Sequence, residues 1–235
     1  MVVSVRFVIV RHGQSENNRL LQETGSLQGR AIDPLLTDLG HQQSRLLGEA
    51  IAGWPAEWRP THLYTSLMAR AVQTAGALAA AIGLGVHGHP ELAECGGPFV
   101  QNPDGTRTTH HGASRADLLA LCQDLALAPE CDEAGWWRHG YEPDEARWQA
   151  RAQALLASVQ AGHAPDAVVA LITHEGFTQQ LVRHLLGIPA MTGWFGAYNT
   201  GVCRLWDEQA PHLAGTTTAE CVNSTAHLPR DLVTD

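Results

Sequence analysis

Lysine is missing from this chain. All 15 basic residues are arginine, which rules out a lysine Schiff base, a lysine general base and a phosphate-loop lysine. Compositional drift explains the absence better than a function does. Either way, cationic contacts to an anion must come from Arg, His or a metal. Cysteine is sparse: Cys95, Cys122, Cys131, Cys203 and Cys221 are odd in number, scattered, and form no C-x-x-C pair. That argues against a disulfide framework or a structural zinc site and reads as reduced thiols in a cytoplasmic protein. No apolar run approaches membrane-spanning length. The apolar start MVVSVRFVIVR has no basic region before it and no cleavage pattern after it, so it reads as a strand rather than a signal peptide. Positive charge is also short: the net charge of −9 argues against nucleic acid and anionic membrane as partners, since both require a basic face.

What is present is a globular composition: 44% of the 235 residues are hydrophobic and 17% charged. Residues 5–10 and 166–176 read as buried strands, with further strands at 61–66, 201–207, in 85–92 and at 219–223. Helical spacing recurs at 37–52 behind a Thr37 cap, at 67–83 ending on Gly83, at 143–161, and after residue 176 up to Gly187. Residues 95–142 break the rhythm with Gly, Pro, His and Trp. Within them Ser114 and Asp117 resemble a capping box. We expect one α/β domain over 1–235, a three-layer α/β/α sandwich with a mostly parallel central sheet and a helical and loop lid insertion at about 95–142.

The two clearest strands end alike, VIVRHG and ALITHEG, each placing a histidine and then a glycine at its carboxyl end. Open α/β sheets bind ligands outside the carboxyl ends of their strands, so His12 and His174 should share one edge. Histidine pairs serve metal ligation, acid–base work or nucleophilic catalysis. No H-E-x-x-H is present, and Arg11 beside His12 would repel a divalent cation and attract an anion. Arg70, in the first turn of a helix, and Asn18, where the chain folds back after the first strand, complete an electropositive cup suited to phosphate.

RHGQSENN, YTSLMARAVQTA, ELAE and ITHEG, in that order, resemble the histidine phosphatase superfamily, also called the phosphoglycerate mutase-like clan. GRAIDPLLTDLGHQQ is similar to its following segment. The resemblance covers about residues 5–95 and 165–205. It implies a metal-independent hydrolysis of phosphomonoesters with no cofactor. His12 would become a phosphohistidine, Arg11, Asn18, Arg70 and His174 would bind the phosphoryl oxygens, and Glu94 would be the proton donor. Glu91, on the same segment, is the competing acid.

Gln28 aligns near a substrate-contact position of the family, and Arg30 reads equally as a solvated charge. In the insertion, Arg107, His110, His111 and Arg115 are candidate contacts to the leaving group, while Trp136 and Trp137 read as packing. NSTAHL (223–228) is similar to a C-terminal motif of some branches, with no chemical account of His227. The expected partner is a small phosphorylated substrate; oligomeric state stays open, a homodimer included. The rival readings are a phosphoglycerate mutase, a phospholigand-binding module on the same fold, and a metallohydrolase. The stretch ECGGPFVQNPDG departs from the family's mutase pattern after the acidic glutamate.

Overall fold

Runs of β-branched residues such as FVIV and VVALI exclude water on both faces only as central strands. The computed structural model describes residues 5–102, 104–207 and 216–235; the first four residues of the apolar start lie outside the described residues. Its elements are β1 (Arg6–Arg11), α1 (Glu16–Thr24), α2 (Asp38–Ala52), β2 (His62–Thr65), α3 (Ala69–Ile82), β3 (Val86–Gly88), β4 (Phe99–Gln101), β5 (Arg107–Thr109), α4 (Arg115–Leu121), β6 (Leu125–Ala126), α5 (Glu145–Gly162), β7 (Val168–Thr173), α6 (Glu175–Leu185), β8 (Val202–Asp207) and β9 (Thr217–Ser224). The seven-stranded sheet has the order β6-β3-β2-β7-β1-β8-β9. It is parallel from β6 to β1, while β8 and β9 run antiparallel.

Alternation along β1 divides the core. Val8 and Val10 pack with Leu47 and Ile51 of α2 and with Val72, Ala75 and Leu78 of α3. Phe7 and Ile9 pack with Leu155, Leu156 and Val159 of α5 and with Phe177 and Leu181 of α6. Each of the Val, Leu, Ile and Phe side chains contributes about 1.5–3 kcal/mol of burial, and the result is the expected three-layer sandwich. The insertion does not build a core of its own. Its Leu118, Leu125, Cys131, Trp136 and Trp137 join the first cluster, and Trp137 is fully buried.

Three elements differ from the sequence reading. The polar run after β1 is helix α1, which buries no residue. It forms because Ser15 and Asn18 make a reciprocal capping box, and it stops at Gly25 with φ 66°. The hairpin β4–β5 and the short strand β6 lie inside the insertion. The capping box of Ser114 and Asp117 on α4 is present. No described helix is long and apolar enough to cross a membrane.

Candidate active site

Strand register builds the site. Arg11 pairs with Thr173, so His12 and His174 leave the sheet side by side, with ring centroids 5.1 Å apart. The turn after His12 presses on α2: a Cβ on Gly13 would lie 2.6 Å from the Gly40 carbonyl oxygen, leaving no room for a side chain. His12 Nδ1–H donates to the Gly13 carbonyl at 2.7 Å. Its Nε2 therefore carries the lone pair, which accepts from Arg70 Nε at 3.0 Å. Arg70 Nη2 also donates to His174 Nδ1 at 3.0 Å, and His174 Nε2–H donates to Ser66 Oγ at 2.8 Å. The donors assign both tautomers. Burial holds both imidazoles well below the usual histidine range, and Arg70 adds to this in each case. At His12 the Gly13 carbonyl pulls weakly the other way. Two neutral rings, each with a lone pair, thus bracket one guanidinium.

The cations are held by carboxylates at their backs. Arg11 pairs with Glu175 at 3.3 Å and donates to the Ala197 carbonyl. Arg70 lies 3.7 Å from Asp33 Oδ1. Burial lowers the pKa of both arginines, and Glu94 acts on both in the opposite direction, so its carboxylate shares the cup. Burial likewise raises the pKa of Asp33, against the pull of Arg70. Asn18 accepts from Ser15 N at 3.0 Å and from Ser15 Oγ at 2.7 Å. Its amide nitrogen has no acceptor among the described residues. Asn199 Nδ2 bridges the His12 carbonyl at 3.3 Å and Asn18 Oδ1 at 3.5 Å.

Helices α3 and α6 both start at this edge, and neither has a side-chain cap at its own N-cap residue. Carboxylates from elsewhere supply the acceptors. Asp33 Oδ1 accepts from Ala69 N at 2.9 Å. Glu94 accepts from Phe177 N at 3.0 Å and Gly176 N at 3.2 Å, besides Cys95 N at 2.7 Å. A Cβ on Gly176 would stand 2.7 Å from Glu94 Oε1, so glycine is what lets the carboxylate approach. Buried Arg151 props the same segment. It donates to the carbonyls of Glu91 (2.7 Å), Ala93 (2.8 Å) and Glu94 (3.2 Å), pairs with Glu142 at 2.8 Å, and lies 4.0 Å over the Phe177 ring. Glu91 instead pairs with His139 at 2.8 Å.

The remaining candidates separate. Gln28 is exposed in its loop. Arg107 lies against Phe99. His110 accepts from Gly112 N at 3.0 Å and acts electrostatically on Asp33. His111 donates to the Trp137 carbonyl, and Arg115 donates to the carbonyls of Ala128 and Cys131. Those two side chains tie the insertion to itself, which explains their presence without a ligand. Arg30 is half-buried on Phe99 rather than solvated. His227 Nε2 meets Thr200 Oγ1 at 3.0 Å, beside the Asn199 bridge. Ser66, Asp33, Asn199 and Arg151 were not legible as site residues. Only Arg151 left a signal, as a charge within the apolar stripe of Trp148, Ala152 and Leu155.

The chain is 40% identical over 67 residues to a Danio rerio protein named probable fructose-2,6-bisphosphatase TIGAR A. The match spans 28% of this chain and 23% of that relative's length. Among solved structures, a mycobacterial glucosyl-3-phosphoglycerate phosphatase superposes with a TM-score of 0.59 at 24% identity, covering 94% of this chain and 99% of the other. A phosphoserine phosphatase from Entamoeba histolytica, in complex with 3-phosphoglyceric acid, superposes with a TM-score of 0.61 at 22% identity, covering 96% and 100%. These share the fold. A family model described as the histidine phosphatase superfamily (branch 1) matches residues 7–214, and the chain belongs to that superfamily.

Proposed function

We propose that the protein hydrolyses phosphomonoesters of small metabolites through a phosphohistidine on His12. The observation that carries this reading is the His12–Arg70–His174 bracket, in which an unprotonated Nε2 stands 3.0 Å from a fixed cation. That nitrogen attacks phosphorus as the ester P–O bond breaks. Arg11, Asn18, Arg70 and His174 hold the phosphoryl oxygens and the charge that moves onto them. Glu94 gives the leaving oxygen its proton, then takes a proton from the water that breaks the P–N bond and frees phosphate. The shared location of Glu94 with both arginines supports this role over Glu91, whose carboxylate pairs with His139.

We read residues 1–235 as one domain and 95–142 as a lid that is anchored to the body by its tryptophans and selects the substrate. Five unpaired cysteines fit a reducing compartment, and we place the protein in the cytoplasm. The test is hydrolysis of para-nitrophenyl phosphate in the presence of chelator by wild type and His12→Ala. Chelator-resistant turnover that His12→Ala abolishes, with acid-labile phosphate trapped on the wild-type protein, is the expected result. Turnover that chelator abolishes, or that survives in His12→Ala, overturns it. Retention of the trapped phosphate for minutes would instead favour a mutase.

A further inference from the structure

The motif NSTAHL (223–228) takes no part in the chemistry at His12, yet its side chains reach the back of that site. Among the described residues only two other than glycine have a positive φ, Thr200 at 57° and Asn223 at 56°. Asparagine tolerates that conformation, whereas a β-branched threonine there is strained. Thr200 is fully buried. It lies in a turn closed by Gly201 N donating to the Tyr198 carbonyl at 2.8 Å, at the position where a positive φ normally calls for glycine.

That turn grips the backbone that carries the nucleophile. Thr200 N–H is shared between the Arg11 carbonyl at 3.1 Å and the His12 carbonyl at 3.2 Å, and the Gly201 carbonyl accepts from Arg11 N at 3.2 Å. Asn199 Nδ2 donates to the His12 carbonyl at 3.3 Å. The φ angle of Thr200 sets the direction of its own N–H against that of the Gly201 carbonyl, so both bonds form together only while Thr200 stays left-handed. What holds it there comes from NSTAHL. The Thr200 hydroxyl donates to the Asn199 carbonyl at 2.7 Å and accepts from His227 Nε2–H at 3.0 Å. With the hydroxyl hydrogen committed to that carbonyl, the His227 ring is the Nε2–H tautomer. Asn223 Oδ1 accepts from Tyr198 N at 2.8 Å, and a Cβ on Gly201 would lie 2.1 Å from that oxygen.

We propose that His227 is a positioning residue for the reaction at His12: its bond to the Thr200 hydroxyl keeps a strained turn left-handed, and that turn fixes the backbone from which the His12 ring projects. The phosphate contacts are held elsewhere, Arg11 by Glu175 and Arg70 by Asp33. The effect of His227 therefore falls on the placement of His12 Nε2 rather than on phosphate binding. The part in catalysis rests on the phosphatase reading above; the brace itself does not.

Kinetics with para-nitrophenyl phosphate test the inference. His227→Leu should lower kcat about tenfold, the scale of a sub-ångström displacement, with KM and inhibition by inorganic phosphate changed by less than about twofold. His227→Gln, whose amide N–H can reach the same hydroxyl, should recover most of the rate. Thr200→Val keeps the strain and loses the bond, so it should be slower than Thr200→Gly, which loses both. In the Thr200→Gly protein, His227→Leu should have no further effect on kcat. An unchanged kcat in His227→Leu, a loss shared equally by phosphate inhibition, or a loss of the same size in the Thr200→Gly protein overturns the brace. Should His227→Leu fail to fold, the order of Thr200→Val and Thr200→Gly decides, and equal rates overturn it. Should the wild type hydrolyse nothing, the phosphatase reading fails separately. The brace is then read from denaturant midpoints, measured for whichever of His227→Leu and His227→Gln folds: the substitution should lower the midpoint of wild type more than that of Thr200→Gly, and equal shifts overturn it.

Discussion

At the scale of single residues, the site depends on a few atoms that must be absent. Gly176 is the case that bears on Glu94, because a Cβ there would stand too close to Glu94 Oε1. Gly176→Ala must move the carboxylate by an appreciable fraction of an ångström, and a displacement of about 1 Å costs on the order of 100-fold in rate. We expect kcat to fall by about that factor while inhibition by inorganic phosphate changes little. An unchanged kcat would separate Glu94 from the chemistry. That His12 and His174 lie side by side was legible in the sequence because strand-end placement is a topological rule applied to short motifs, and Arg70 joined them as a residue in the first turn of a helix starting at the same edge. Ser66, Asp33 and Asn199 were not. Each works through one or two hydrogen bonds to a residue far away in the chain, and no local spacing records such a bond.

At the scale of elements, two helix ends without caps of their own converge on the edge where His12 and His174 lie, and each borrows a carboxylate. This arrangement couples helix stability to site geometry: Asp33 fastens the start of α3 and the guanidinium that α3 carries, and Glu94 fastens the start of α6. Arg151 is the post behind Glu94. Breaking its buried pair leaves Glu142 without its partner, at a cost of about 3–5 kcal/mol. Arg151→Met should therefore lower the denaturant midpoint with little change in slope, and Arg151→Met with Glu142→Leu should recover part of the loss. If the single variant proved as stable as wild type, the post would be dispensable. Periodicity located α2, α3, α5 and α6 because each turns an apolar stripe toward the sheet. It was silent on α1, which buries nothing and exists through its capping box. It was silent on β4–β5 for a similar reason, since none of those residues is fully buried.

At the scale of the whole molecule, buried neutral histidines set how stability responds to acid. His12, His174 and His227 are all held below the ordinary value by burial, His227 down to about 4. Between about pH 6.5 and that value, the unfolded chain binds protons that the folded chain refuses. Stability therefore rises with pH across the window and is lost as pH falls through it. Melting temperatures measured from pH 7 to pH 4 should fall on the acid side, and His227→Gln should make the fall shallower. A slope that His227→Gln leaves unaltered would mean that this ring is not kept neutral. The order of strands has a further consequence, for the chain as it is made. Strand β1 leaves the ribosome well before both of its neighbours, β7 and β8, which lie more than 150 residues later in the sequence. Until those segments are synthesised, its backbone donors and acceptors lack their sheet partners and its apolar faces lack much of their cover. Through that interval the strand that ends beside His12 is an open edge on both sides, the kind of surface that pairs wrongly unless it is sheltered.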